Sequence, residues 1–152
     1  MNVTIPYTPR KQQAFIHTEL DKHRFSVLCC HRRFGKTVML INHLIKCCMM
    51  NKNHQPRFAY IAPTYSQAKK IAWDYLKFYT KGLPNTKYNE TELRCDFFNG
   101  SRITLLSSEN PDSIRGIYLD GVVCDEASQI SRELIDEVIR PAIADRKGWM
   151  SL

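Results

Sequence analysis

Two short stretches hold the residue types that chemistry on a phosphate requires. The first is Cys30-His31-Arg32-Arg33-Phe34-Gly35-Lys36-Thr37, which matches GxxxxGK[ST] at its last three fixed places, with Cys30 where the first glycine would stand. Gly35 lets the backbone turn its N–H groups toward an anion, and the N-terminus of a following helix adds a positive dipole end. Lys36 has the reach for β- and γ-phosphates, and Thr37 offers a hydroxyl to Mg²⁺. The second stretch is Val122-Val123-Cys124-Asp125-Glu126, an apolar run ending in two carboxylates. Consecutive side chains on an extended backbone diverge, so the acids can divide the work. Asp125 would hold Mg²⁺ through its water shell, and Glu126 would orient and polarise an attacking water. The plain alternative to each is a solvated basic turn and an acid-capped strand end.

Such groups converge only if the intervening chain folds them together, and the hydrophobic pattern predicts how. Proline suits a helix start, so a helix is expected after Pro9, through Phe15, Ile16 and Leu20. Phe25 to Cys29 reads as a strand. Val38, Ile41, Leu44, Ile45, Cys48 and Met49 recur at helical spacing and predict a helix from about Lys36 to Met50. Phe58 to Ile61 is a second strand, followed by a helix capped by Ser66 and carrying Ile71, Ala72, Tyr75, Leu76 and Tyr79. Strand and helix alternate, which implies parallel strands with crossover helices. Leu93 to Phe98 and Arg102 to Leu106 flank Asn99-Gly100, the signature of a type I′ hairpin, and predict an inserted antiparallel pair. Gly121 to Cys124 is a third buried strand. A helix from Ser131 to Arg140, closed by Pro141, follows, and Gly148 to Leu152 begins another strand. Acids at the C-terminal end of a strand lie where ligands gather in open α/β sheets.

The 152 residues, 43% apolar and 24% charged, suffice for one cored domain and exclude disordered and collagenous classes. No apolar run is long enough to span a bilayer, and the MNVTIPYTPR start lacks a signal region. The six cysteines show no CxxC or CxxH spacing and read as reduced core residues of a cytosolic protein. The net charge of +7 is uneven: residues 1–88 hold 15 Lys/Arg and three acids, residues 89–152 seven Lys/Arg and 12 acids. The asymmetry points to an anionic partner on one side and a metal or basic neighbour on the other, while a solvated surface alone would explain about half of it.

The order and wording of TPRKQQAFIH, HRRFGKT, YIAPTYSQAKKIAWDYL, FNGSRITLLSSENPDSIRG and VVCDEA resemble the N-terminal ATPase of the large terminase subunit, the DNA-packaging motor of tailed bacteriophages and herpesviruses. The resemblance covers nearly the whole chain, and in that family the first Walker A position is often not glycine. It implies an α/β P-loop NTPase of the additional-strand, catalytic-glutamate class, with a mostly parallel central sheet flanked by helices. By the same resemblance Gln13 falls where the family recognises adenine, with Tyr7 or Pro9 near the base. The alternative for Gln13 is a solvated glutamine beside Gln12. Arg115 matches an arginine finger sent into a neighbouring subunit's site, or else pairs with Asp112 or Asp120. Arg33 and Arg32 are expected to sense phosphate jointly. Lys69 and Lys70, after the Tyr65-Ser66-Gln67 turn, either touch DNA backbone or solvate a helix.

The resemblance further implies ATP and Mg²⁺ as cofactors. The implied partners are double-stranded DNA, the portal of a procapsid, a small terminase subunit and further copies in a ring, a pentamer by resemblance. No membrane is involved, and the place of action would be the host cytoplasm. Residues 1–152 are expected to be a partial ATPase domain that stops before the coupling motif, without the nuclease domain and with weak or absent turnover alone. Two rivals stay open: a helicase-like, nucleic-acid-stimulated ATPase, and a non-catalytic fragment that only binds nucleotide or DNA.

Overall fold

The computed structural model describes residues 4–152, so the first three residues of the N-terminal stretch lie outside it. Its centre is a seven-stranded sheet formed by β1 (Phe25–Ser26), β2 (Arg57–Ala62), β3 (Lys87–Asn89), β4 (Arg94–Asp96), β5 (Arg102–Ser107), β6 (Gly121–Cys124) and β7 (Trp149–Ser151), in the order β1-β7-β6-β2-β5-β4-β3. From β1 to β5 all neighbours run parallel; β4 and β3 then join antiparallel. The helices are α1 (Lys11–Lys22), α2 (Lys36–Met50), and two composite helical segments over 65–80 (α3) and 132–144 (α4).

Parallel strands covered by crossover helices must be apolar on both faces, and β2 is. Phe58 and Tyr60 face one core with Leu40, Leu44 and Trp73 of α2 and α3, while Ala59 and Ile61 face the other with Leu134, Ile139 and Ile143 of α4. The strand β6 is likewise buried throughout, with Val123 in the first core and Val122 and Cys124 in the second. Eight side chains of α2 are buried. Among the described residues no helix is long and apolar enough to cross a membrane.

The bounds expected for α2 and β6 are the bounds found. Elsewhere local signals lost to tertiary ones. The first strand is regular only over Phe25–Ser26, at the sheet edge with Val27 exposed, although the Leu28 N–H still donates to the Leu152 carbonyl at 2.8 Å. The cap of α3 is Thr64, not Ser66: its hydroxyl accepts from the Gln67 N–H at 3.2 Å, and the Gln67 side chain accepts from the Thr64 N–H at 3.3 Å. Pro141 does not close the last helix. It sits in the first turn of Arg140–Ala144, after a π-helical stretch Ile135–Ile139, where a missing N–H costs least.

The Asn99-Gly100 turn is not type I′. Only Gly100 is left-handed (φ 82°), and Phe97 N–H donates to Ser101 C=O at 2.9 Å across a three-residue loop that ends in a glycine bulge. Asn99 serves differently: its Nδ2 donates to Cys48 C=O at 2.8 Å, tying the loop to the end of α2. The second arm of that hairpin, β5, is also a core strand, parallel to β2 over six residue pairs. Of the six free cysteines, Cys48, Cys95 and Cys124 are buried as expected, but Cys29 is exposed.

Candidate nucleotide site

The loop joining β1 to α2 is shaped by two left-handed residues, Arg33 (φ 63°) and Gly35 (φ 82°). Gly35 is the residue before α2, and a Cβ there would meet the Arg10 guanidinium and the Gln13 amide at 3.1 Å. Those two groups brace the loop from α1. The Arg10 guanidinium and Gln13 Nε2 (3.2 Å) both donate to the Phe34 carbonyl, and Gln13 Oε1 accepts from the Arg10 N–H at 3.0 Å. The Phe34 ring is buried, with Arg10 over its face at 5.6 Å.

From this loop α2 carries Lys36 and Thr37 to the C-terminal end of β6. Lys36 Nζ lies 3.0 Å from Asp125 Oδ1, and the Thr37 hydroxyl donates to Asp125 Oδ2 at 2.8 Å across 88 residues of sequence. Tyr60, in the middle of the sheet on β2, donates its hydroxyl to the same Oδ2, and the Glu126 N–H donates to Oδ1 at 3.0 Å. Burial alone would raise the Asp125 carboxyl, but the donors Tyr60, Thr37 and Lys36 outweigh it and hold it below the usual carboxylate range. Burial likewise works against the Lys36 ammonium, yet Asp125 leaves it raised. Both are charged at neutral pH. The Tyr60 phenol is pushed up, first by burial and then by Asp125, so it remains a donor.

Glu126 follows in the left-handed region (φ 53°) at the start of a short 3₁₀ turn, Ala127–Gln129. Its carboxylate is exposed and hydrogen-bonds to no other described residue. Residues 30–38, Ile71, Tyr75 and Glu126 line one cavity of about 470 Å³, within the range of small-ligand sites. A second hollow of about 660 Å³ lies between α1 and the loop, walled by Gln12, Phe15, Ile16, His31 and Phe34.

The structure thus brings together Cys30, His31, Arg32, Arg33, Phe34, Gly35, Lys36, Thr37 and Glu126 around one cavity, with Asp125 behind Lys36 and Thr37. Gln13 is buried beneath the loop rather than solvated, with its amide committed at both ends. The Tyr7 hydroxyl is bonded to His17 Nε2 at 3.0 Å. Arg115 lies outside the cavity, exposed and 3.6 Å from Asp112. Lys69 and Lys70 are exposed on α3, Lys69 over the Tyr65 ring.

Four contributors escaped the sequence. Tyr60 lies within an apolar strand, and the available signal is that a buried phenol needs a partner. Arg10 carried no signal. Tyr75 and Ile71, both exposed on α3, show in the sequence only their place on a helix. Among the described residues no group of three or more His, Cys, Asp and Glu side chains could hold a metal ion.

Comparison with known proteins identifies the family. Residues 31–152 match the family described as the terminase large subunit, T4likevirus-type, N-terminal region. The large terminase subunit of Escherichia phage T5 is 29% identical over 143 residues, covering 90% of this chain and 32% of that protein. That of Thermus phage G20c is 26% identical over 162 residues, covering 94% and 33%. The chain therefore spans about a third of the length of these curated relatives. Among solved structures, the large terminase ATPase domain of Thermus phage P74-26 superposes with a TM-score of 0.78 at 25% identity, over 97% of this chain and 64% of that one. The large terminase of another thermophilic bacteriophage, in complex with ADP, shares the fold, with a TM-score of 0.76 at 16% identity over 93% and 37%. The P-loop α/β fold is shared with these proteins, and with the family match over most of its length the chain belongs to the N-terminal region of the terminase large subunit, T4likevirus type.

Proposed function

We propose that this chain binds ATP in the cavity above the 30–37 loop and hydrolyses its terminal phosphate, as the motor part of a terminase large subunit that packages double-stranded DNA. The observation that carries the reading is the meeting of Lys36, Thr37 and Asp125 at one point beside an exposed, unpaired Glu126. Nucleotide as the ligand class is supported by the thermophilic phage terminase of the same fold, whose structures are described in complex with ADP and with ATP-γ-S.

In this reading the backbone N–H groups of the loop and the N-terminus of α2 receive the phosphates, and Lys36 leaves Asp125 for the β- and γ-phosphate oxygens. The donor set fits Mg²⁺: a threonine hydroxyl and a carboxylate lie side by side, and this ion needs only one or two protein oxygens besides phosphate and water. Thr37 and Asp125 would hold it, and when bound it would neutralise charge developing on the phosphates. Glu126 accepts a proton from, and orients, the attacking water. Arg32 and Arg33, both exposed at the mouth, contact the γ-phosphate. Adenine recognition by Gln13 requires it to exchange the Phe34 carbonyl or the Arg10 amide for the base. Arg115, exposed and held only by Asp112, is free to reach a neighbouring copy in a ring. Its contribution as a finger would be about 10³ to 10⁵ in rate. The small terminase subunit, the portal of a procapsid and a host-cytoplasmic place of action complete the proposal.

The test pairs Lys36→Ala with Glu126→Gln. Binding of a fluorescent ATP analogue is expected to fail in the first and persist in the second, while phosphate release falls in the second by about 10² to 10⁴. Equal nucleotide affinity in Lys36→Ala and the unmodified chain would overturn the proposal.

A further inference from the structure

We infer that Tyr60 is a positioning residue for the Asp125 carboxylate: its hydroxyl holds the Oδ2 edge in place when Lys36 and Thr37 leave for the nucleotide. The inference rests on the nucleotide reading above and names a residue that reading does not use. A carboxylate offers about four lone-pair sites, and here four donors fill them. Lys36 Nζ and the Glu126 N–H are each 3.0 Å from Oδ1, while the Thr37 and Tyr60 hydroxyls share Oδ2.

The four donors differ in mobility. Lys36, with a quarter of its side chain exposed, and Thr37 both line the cavity and have work to do there. The Glu126 N–H is backbone. The Tyr60 ring is 3% exposed, on a strand bonded on both sides, by β5 and β6, and packed in the first core. Once a ligand draws Lys36 and Thr37 away, one immobile donor remains on each carboxylate oxygen, and on Oδ2 it is Tyr60. Phenylalanine would fill the same space. A hydroxyl in the centre of a sheet is costly unless bonded, and its bonding partner is the side chain on which the site converges. Without it, Oδ2 would lose every donor when Thr37 departs, and a buried carboxylate stripped of donors turns or takes a proton.

Tyr60→Phe removes one oxygen and keeps the ring. Two measurements are needed. In nucleotide-free protein, urea unfolding of Tyr60→Phe, Thr37→Val and the double variant tests whether Oδ2 depends on both hydroxyls. The double variant should lose about tenfold more in folding equilibrium than the product of the single losses, since only then is Oδ2 bare. In the second, Mg²⁺ is titrated into Tyr60→Phe with the fluorescent ATP analogue. The Mg²⁺ concentration for half-maximal enhancement of binding should rise about tenfold, with metal-free affinity unchanged.

Single losses that simply multiply would overturn the inference, and so would an unchanged Mg²⁺ requirement. Should the unmodified chain fail to bind the analogue while the double variant shows the extra loss, the nucleotide reading falls and the hold of Tyr60 on Asp125 stands.

Discussion

Two buried aspartates flank β6, and they are built to opposite ends. Asp120, just before the strand, accepts from the Arg57 N–H at 2.8 Å and Asn53 Nδ2 at 2.6 Å, with Arg146 at 3.6 Å. Arg146 is itself pinned, with its guanidinium 3.9 Å over the Tyr118 ring and bonded to the His54 carbonyl. Asp125, just after the strand, has comparable burial, but two of its four donors are side chains that line a cavity. Partners with nowhere else to go make a bolt; partners that can be drawn off make a site. The contrast extends along the sheet: at the Asp120 end Gly121 leaves no room for a Cβ, which would stand 2.3 Å from Trp149. At the Asp125 end Glu126 stands unpaired and exposed.

The sharpest way to break this contrast is to exchange the effects of the two acids. Asp120→Ala strands the Arg57 N–H at the start of β2 and two loop side chains, Asn53 and Arg146, and is expected to cost about 3 kcal/mol in urea unfolding while leaving affinity of the remaining folded protein for nucleotide unchanged. Asp125→Asn should do the reverse, with stability within about 1 kcal/mol and the Mg²⁺-dependent part of ATP binding lost. Similar stability losses in both would erase the distinction.

A second test concerns pH and the closed end. His43, buried on α2, shares an Nδ1–Nδ1 contact of 3.0 Å with His17 and lies edge-on to Trp149 at 5.3 Å. Burial, then His17, lowers it to about 4 from 6.5, with Lys46 acting the same way and Asp21 opposing. The folded chain therefore keeps His43 neutral where the unfolded chain takes up a proton. Its contribution is complete above pH 6.5 and declines as pH falls toward 4, on the order of 3 kcal/mol in all. His43→Gln should flatten that slope in unfolding curves at pH 7, 6 and 5; an unaltered slope would remove the histidine pair from the bolt. The smallest effect is expected at the hairpin tip. Gly100→Ala places a Cβ in the left-handed region with no atom within 4 Å, so the cost is backbone strain alone, about 1 kcal/mol by thermal melting.

Local patterns carry their own elements. The helix from Lys36 to Met50 announced itself by a stripe of apolar residues behind Gly35, and Gly121 to Cys124 by its unbroken apolar character. Features that depend on a distant partner were not legible. Asn99-Gly100 has the composition of one turn and the geometry of another because Asn99 is drawn to the end of α2. Pro141 would stop an isolated helix, but here the π-helical turn before it lets the segment continue against the sheet. Arg10 gives no local sign that it braces the loop.

By itself the sequence determined which chemical groups exist and the order of strand, loop and helix that presents them, because periodicity and glycine placement act within a few residues. Only the tertiary structure decided that a tyrosine in the heart of the sheet answers to Asp125, that Gln13 is spent on the loop, and that of two aspartates five residues apart one is fastened and the other poised. Those outcomes depend on which donors the parallel sheet brings within reach across as many as 88 residues, and no local pattern encodes that distance.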